Sequence, residues 1–148
     1  MKEWIWKSSQ AIIIDREANI YLESNKKIGR LSLIWWKVEF EKDWASRETY
    51  FENAMIRELK EETWIDKEAS DFKDSWEYQE AQEIPKVWLW ESMYYVIILE
   101  TTEEIKQILE NWDINKYTFQ DLEVMQGNTF AMPKEKFLKQ IQRGLNLL

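Results

Sequence analysis

The sequence contains no cysteine and no histidine, only three glycines and two prolines, and no long apolar run. Without cysteine there is no disulfide and no thiol chemistry. Without histidine there is no zinc–histidine site, no Ser-His-Asp triad and no imidazole acid or base. Any chemistry must therefore use carboxylates, lysines, tyrosines, hydroxyls or metals. The longest clear apolar run, Tyr94 to Leu99, is strand-sized and too short to span a bilayer. The opening Met1-Lys2-Glu3-Trp4 has none of the apolar stretch of a secretory signal. These lacks predict a cytoplasmic protein that does not engage a membrane.

What is present fits one folded domain, residues 1–148. Hydrophobic residues make up 45% and charged residues 32%, the balance of a globular chain rather than a disordered one. Acidic residues outnumber basic ones, 28 to 20, for a net charge of −8. A nucleic-acid polymer is not expected as a partner, because its phosphates call for clustered Lys and Arg. A small phosphorylated ligand is still compatible, since a bound cation reverses the local sign of an acidic site.

Along the chain there is no linker, repeat or low-complexity tract. Ala11 to Ile14 and Ile20 to Leu22 flank a polar turn and predict a hairpin. Leu31 to Ile34 and Lys37 to Phe40 predict further strands, with a loop over residues 41–47. Thr49 to Thr63 predicts a helix: Thr49 and Glu52 have capping-box spacing, and Phe51, Met55, Ile56, Leu59 and Thr63 share one face. Strands are expected at 75–79 and 87–99, the latter broken near Glu91-Ser92, and a helix capped by Thr101 or Thr102. A last strand over 117–125 and a terminal helix begun by Pro133 complete the pattern. The order is that of a mixed sheet with helices packed on it.

The helix around Leu59 reads Arg57-Glu58-Leu59-Lys60-Glu61-Glu62-Thr63. Glu58, Glu61 and Glu62 stand three and four residues apart and so share a face. Like charges at that spacing repel by a few tenths (~0.2–0.5) of a kcal/mol per pair. A hard cation turns the repulsion into binding, and Mg²⁺ takes carboxylate oxygens and substrate phosphates. Spacing alone equally allows a solvated acidic face, partly offset by Arg57 and Lys60.

Arg57-Glu58-Leu59-Lys60-Glu61-Glu62-Thr63-Trp64-Ile65 resembles the second half of the Nudix box, Arg-Glu-aliphatic-x-Glu-Glu-x-Gly-aliphatic, with Trp64 in place of the Gly. Upstream, Trp35-Trp36-Lys37-Val38-Glu39 is similar to the family's Gly-Gly-Lys-Val-Glu. The stretch between these halves is seven residues longer than in the family, and Glu48 or Thr49 falls nearest the box's first Glu. The resemblance covers most of the chain. It implies a Nudix-type α/β/α sandwich with a mixed sheet, and Mg²⁺ (Mn²⁺ as a substitute) held by Glu58, Glu61, Glu62 and the Trp36 carbonyl. In it Arg57 orients the glutamates, and Glu123 is the candidate for a carboxylate from outside the box. The implied activity is hydrolysis of a phosphoanhydride in a nucleoside diphosphate derivative, a nucleoside triphosphate first, by a monomer or homodimer. Two other readings stand beside it. One is a weakly active or inactive nucleotide-binding or regulatory module of the same fold; the other is an acidic interaction domain. Tyr94, Tyr95, Trp88 and Trp90 are read as core aromatics rather than base-stacking groups.

Ten tryptophans against three glycines reverse ordinary usage. Trp35, Trp36 and Trp64 stand at the family's glycines, and Trp44 and Trp112 follow residues after which a glycine turn or helix stop fits. A bulky residue in a left-handed conformation costs about 1–2 kcal/mol. The pattern predicts that some of these codons are UGA, read as Gly by the source organism; UGG at 35, 36 and 64 in the gene overturns this. It also predicts that tryptophan at these sites weakens catalysis.

Overall fold

A computed structural model describes residues 4–25, 29–39, 49–83, 87–111 and 113–148. The run Ala11–Ile14 has no polar side to offer water, so as a strand it must be covered on both faces. Accordingly β1 (Trp4–Asp15) lies at the centre of the sheet. It runs parallel to β6 (Val87–Leu99), and antiparallel to β2 (Ile20–Asn25) and β4 (Ile34–Lys37). Outside these come β3 (Arg30–Ser32) and β7 (Ile114–Tyr117) on β2, and β5 (Ser75–Glu83) on β6. One parallel pairing among antiparallel ones makes the seven-stranded sheet mixed, as expected.

Strand alternation divides the core in two. On one face Ala11, Ile13, Ile97 and Leu99 meet helix α1 (Tyr50–Thr63) through Phe51, Ala54, Met55 and Leu59, and helix α2 (Thr102–Glu110) through Ile108. On the other, Ile12, Ile14, Val96 and Ile98 meet α3 (Phe119–Glu123) through Leu122 and α4 (Lys134–Leu145) through Phe137 and Ile141. The chain is an α/β/α sandwich. Helix α4 comes so close to β1 that a Cβ at Gly144 would stand 2.9 Å from Ile12 Cγ2.

The structure differs from the sequence reading in several places. The strand expected over 117–125 ends at Tyr117, because Thr118 and Asp121 form a reciprocal capping box that starts α3. Strand β6 runs unbroken through Glu91-Ser92, since Ser92 finds a buried partner in Ser8 across the sheet, 2.8 Å between hydroxyls. Thr49 is the N-cap of α1 but makes no side-chain capping bond; the expected box is found instead at Thr101 and Glu104. Ile56 is only partly buried, so Ala54 and not Ile56 completes the inner stripe. Strand β4 ends at Lys37; Phe40, the loop 41–47, Glu48, Trp44 and Trp112 lie outside the described residues.

Trp64 ends α1 at φ 64°, its indole 76% exposed. The site has the conformation that glycine takes without cost, as expected from the motif. Trp35 and Trp36, by contrast, are strand residues in β4 and are not among the positive-φ residues, so the strain argument fails for them. Trp64→Gly is expected to raise the melting temperature by about 3 °C, the equivalent of about 1 kcal/mol. A fall in the thermal midpoint would contradict this account of the position.

The β1–β2 turn is tied by Asp15, whose carboxylate accepts the backbone N–H groups of Glu17 (2.9 Å) and Asn19 (3.0 Å), the Asn19 amide (3.0 Å) and the Tyr21 hydroxyl (2.8 Å). Burial alone would raise its pKa, but these bonds outweigh it and hold the carboxyl below its ordinary value. A depressed pKa stabilises the fold above the unfolded value of about 3.9, and the contribution is lost as pH falls through the folded value. Asp15→Asn is therefore expected to cost about 1–3 kcal/mol at neutral pH, with a smaller deficit at pH ~3. Urea midpoints at the two pH values check it; an equal deficit at both would contradict it.

Candidate metal and active site

Helix α1 buries Leu59 and Thr63 and exposes Glu61 and Glu62 at the same end, while the Glu58 side chain is largely covered. Arg57 Nη1 donates to Glu58 Oε1 at 2.7 Å and to Glu61 Oε2 at 3.2 Å, bracing two of the three glutamates. Trp36, on the face of β4 that carries α1, is buried in the cluster that holds Phe51, Met55 and Leu59. Partial burial raises the Glu62 pKa, and the charges of Glu58 and Glu61 add to the rise.

A further carboxylate approaches from the sheet. Glu23 follows Tyr21 in the alternation of β2, on the face that carries α1. Its pKa is raised by burial first, then by the charges of Glu62 and Asp113. Glu23 thus lies within the electrostatic reach of Glu62, which in turn feels Glu58 and Glu61.

The donor chemistry suits a hard cation: carboxylate oxygens from one helix, with another acid opposite, crowded enough to perturb one another. In the present side-chain orientations no three acidic groups among the described residues converge closely enough to hold an ion. Glu58 and Glu61 are turned to Arg57. The donors suit a hard cation in kind, but their present arrangement does not gather three of them around one point.

The opposite face of the sheet carries a cleft of about 170 Å³, lined by Ser8, Gln10, Leu33, Trp35, Met132 and Phe137 among others. Its floor is polar. Ser8 and Ser92 are buried and bonded to each other, and the Gln10 amide reaches Ser92 Oγ at 3.3 Å. Its far wall is fixed by the backbone bond from Ala131 N–H to the Leu31 carbonyl. Strand β4 joins the two regions, with Trp35 facing the cleft and Trp36 the side that carries α1.

No protein-family model and no curated protein matches the sequence. Solved structures match it. A NUDIX-family hydrolase from Clostridium perfringens superposes with a TM-score of 0.56 at 17% identity, over 95% of this chain and 96% of that one. MutT protein from Methanosarcina mazei Go1 gives 0.55 at 15% identity, over 97% and 96%. The fold is that of the Nudix hydrolases. Shewanella oneidensis NrtR, crystallised with a 27mer DNA, gives 0.62 at 12% identity. The match covers 94% of this chain but 60% of NrtR, so this chain spans about three-fifths of that protein's length.

Within the Nudix fold the residues named from the sequence are partly gathered. Arg57, Glu58, Glu61 and Glu62 lie together on α1, with Trp36 in the core cluster that this helix covers. Glu123 does not join them: it sits on α3, which packs by Leu122 on the opposite face, and its carbonyl accepts from Lys134 Nζ at 2.6 Å. Thr49 opens α1, and the trace of Glu48 is not described. Tyr94 and Tyr95 are core residues, as expected, with Tyr94 stacked on Trp76 at 5.4 Å between centroids; the side chains of Trp88 and Trp90 lie outside the description. Sequence reasoning passed over Glu23, whose signal was a charge in phase with a core tyrosine, and Ser8 and Gln10, polar residues leading into the apolar run of β1. No helix among the described residues is long and apolar enough to cross a membrane.

Proposed function

We propose that this chain is a Mg²⁺-dependent pyrophosphohydrolase of a nucleoside diphosphate derivative, with a nucleoside triphosphate as the first candidate and Mn²⁺ as a substitute ion. The observation that carries the reading is the Arg57–Glu58–Glu61–Glu62 constellation on one helix in a Nudix fold, with Arg57 Nη1 donating to both Glu58 and Glu61. In this reading Glu58, Glu61 and Glu62, with the Trp36 carbonyl, hold the ion, which when bound neutralises diphosphate oxygens and lowers the pKa of water. Arg57 keeps Glu58 and Glu61 in orientation. One of the three glutamates takes the proton of the attacking water, a task that needs no histidine. The cleft over Ser8 and Gln10 has apolar walls with a polar floor, which suits the nucleoside end. Products are a nucleoside monophosphate with pyrophosphate or another phosphorylated fragment. The net charge of −8 favours a small nucleotide over a nucleic-acid polymer, and a cytoplasmic setting as a monomer or homodimer completes the proposal.

One observation favours a second reading. Because no three acidic groups among the described residues converge on one point, the chain as written suits slow turnover, or nucleotide binding without hydrolysis. A nucleotide panel assayed for phosphate and pyrophosphate release separates the two. Mg²⁺-dependent release abolished by EDTA supports the enzyme. Thermal stabilisation by nucleotide and Mg²⁺ without release supports the binding module. Neither effect overturns both.

A further inference from the structure

Among the described residues, none that lines the cleft over Ser8 and Gln10 is ionisable. At about 170 Å³ the cleft is smaller than the roughly 300–1,000 Å³ of sites that enclose a whole drug-sized ligand. It therefore suits one uncharged ring system, with sugar and phosphates left outside. Gln10 and Trp35 are partners in the β1–β4 ladder, so amide and indole stand side by side along one wall.

The floor carries a directed chain of hydrogen bonds. Gln10 Nε2 donates to Ser92 Oγ at 3.3 Å, and the Ser92 and Ser8 hydroxyls are 2.8 Å apart. Both serines are buried, and an amide nitrogen only donates. Among the described residues the Ser92 proton thus has one acceptor, Ser8 Oγ; the opposite direction would leave a buried hydroxyl proton unbonded. The Ser8 proton is then left for whatever occupies the cleft that Ser8 lines, and the chain behind it strengthens it as a donor. The same chain orients Gln10: with Nε2 held at Ser92, Oε1 is the acceptor on the other side of the amide. Ser8 and Gln10 are two residues apart on β1 and face the same way.

We propose that this cleft selects an oxo-base, a heterocycle whose carbonyl accepts from the Ser8 hydroxyl and whose adjacent ring N–H donates to Gln10 Oε1. The proposal rests on the reading of the cleft as the nucleoside site and adds the class of base and the two residues that choose it. An amino-base turns a donor toward Ser8 and a bare ring nitrogen toward the Gln10 oxygen, two mismatches at a buried floor.

The test is isothermal titration calorimetry of the full chain, in EDTA, with inosine against adenosine monophosphate and uridine against cytidine monophosphate. Each pair exchanges carbonyl and N–H for amino group and ring nitrogen. In each pair that binds, the oxo member is expected to bind roughly tenfold to a hundredfold more tightly. Ser8→Ala is expected to lower that ratio by about fivefold, the scale of one hydrogen bond, an effect that a loss of stability alone does not give. The order within each pair is read on the native protein, whether or not the variant folds. Equal affinities within a pair, tighter binding of the amino member, or a ratio unchanged in Ser8→Ala overturns the selection and leaves the nucleoside cleft standing. Failure of all four to bind at millimolar concentration overturns the cleft reading and the selection together.

Discussion

Glu58→Gln and Glu62→Gln are each expected to lower kcat for nucleotide hydrolysis by roughly 10²–10⁴-fold, whether the lost group is a base or an ion ligand. Glutamine keeps the size of the side chain but removes the charge that attracts a hard cation and the basicity that takes a proton. The same substitutions are expected to leave stability unchanged or to raise it by a few tenths (~0.2–0.5) of a kcal/mol, since they relieve like-charge repulsion on α1. Glu62 gives the cleaner case, because its carboxyl is pushed up by burial and by Glu58 and Glu61. At Glu58 the gain is reduced by loss of the 2.7 Å ion pair with Arg57. Activity and stability moving in opposite directions is the mark of residues retained for chemistry. Steady-state kinetics with thermal unfolding of the same samples checks it; parallel losses of both would assign the glutamates a structural role.

Phe137→Ala is expected to destabilise the fold by about 3–5 kcal/mol. Phe137 is fully buried, stacks on Phe130 at 4.9 Å between centroids, and anchors α4 to the sheet beside Ile12 and Ile141. It also forms one wall of the cleft over Ser8 and Gln10, so the cavity left behind opens into that cleft and collapses poorly. Against a total stability of about 5–15 kcal/mol, this is a large fraction. Urea unfolding at 25 °C measures it, and a loss below about 1 kcal/mol would show that α4 is held by other contacts. In variants that remain folded, nucleotide KM is expected to rise more than kcat falls, because the wall contributes to binding in ground and transition states alike.

The parts of this fold that were legible in the sequence are those where one physical rule acted alone. The continuous apolar run of β1 demanded cover on both faces, and the stripe through Phe51, Met55 and Leu59 demanded a helix lying on the sheet. Of the candidate site, what was legible is the helix that carries Arg57, Glu58, Glu61 and Glu62, with Arg57 bonded to two of the three acids. Where two rules competed, the sequence misled. At 117–125 an apolar alternation competed with the Thr118–Asp121 capping pair, and the cap prevailed. At Glu91-Ser92 polarity was read as a break, but a serine can be satisfied inside a sheet by another serine, which only the register of β1 against β6 brings into place. Glu123 was chosen as an acid outside the box without knowledge of which face α3 covers, whereas Glu23 came into view only when β2 was placed beside α1. The tryptophan pattern divided likewise. Position 64 has the left-handed backbone that favours glycine, while Trp36 is accommodated as a buried strand residue.

The central claim is that the acids of α1 close around a hard ion. Crystals soaked in Mn²⁺, with data collected for anomalous scattering, test it directly. The account predicts an anomalous peak at the end of α1, coordinated by at least two of Glu58, Glu61 and Glu62. A protein that hydrolyses nucleotides while its Mn²⁺ sits elsewhere, with these three carboxylates unmoved, would contradict it.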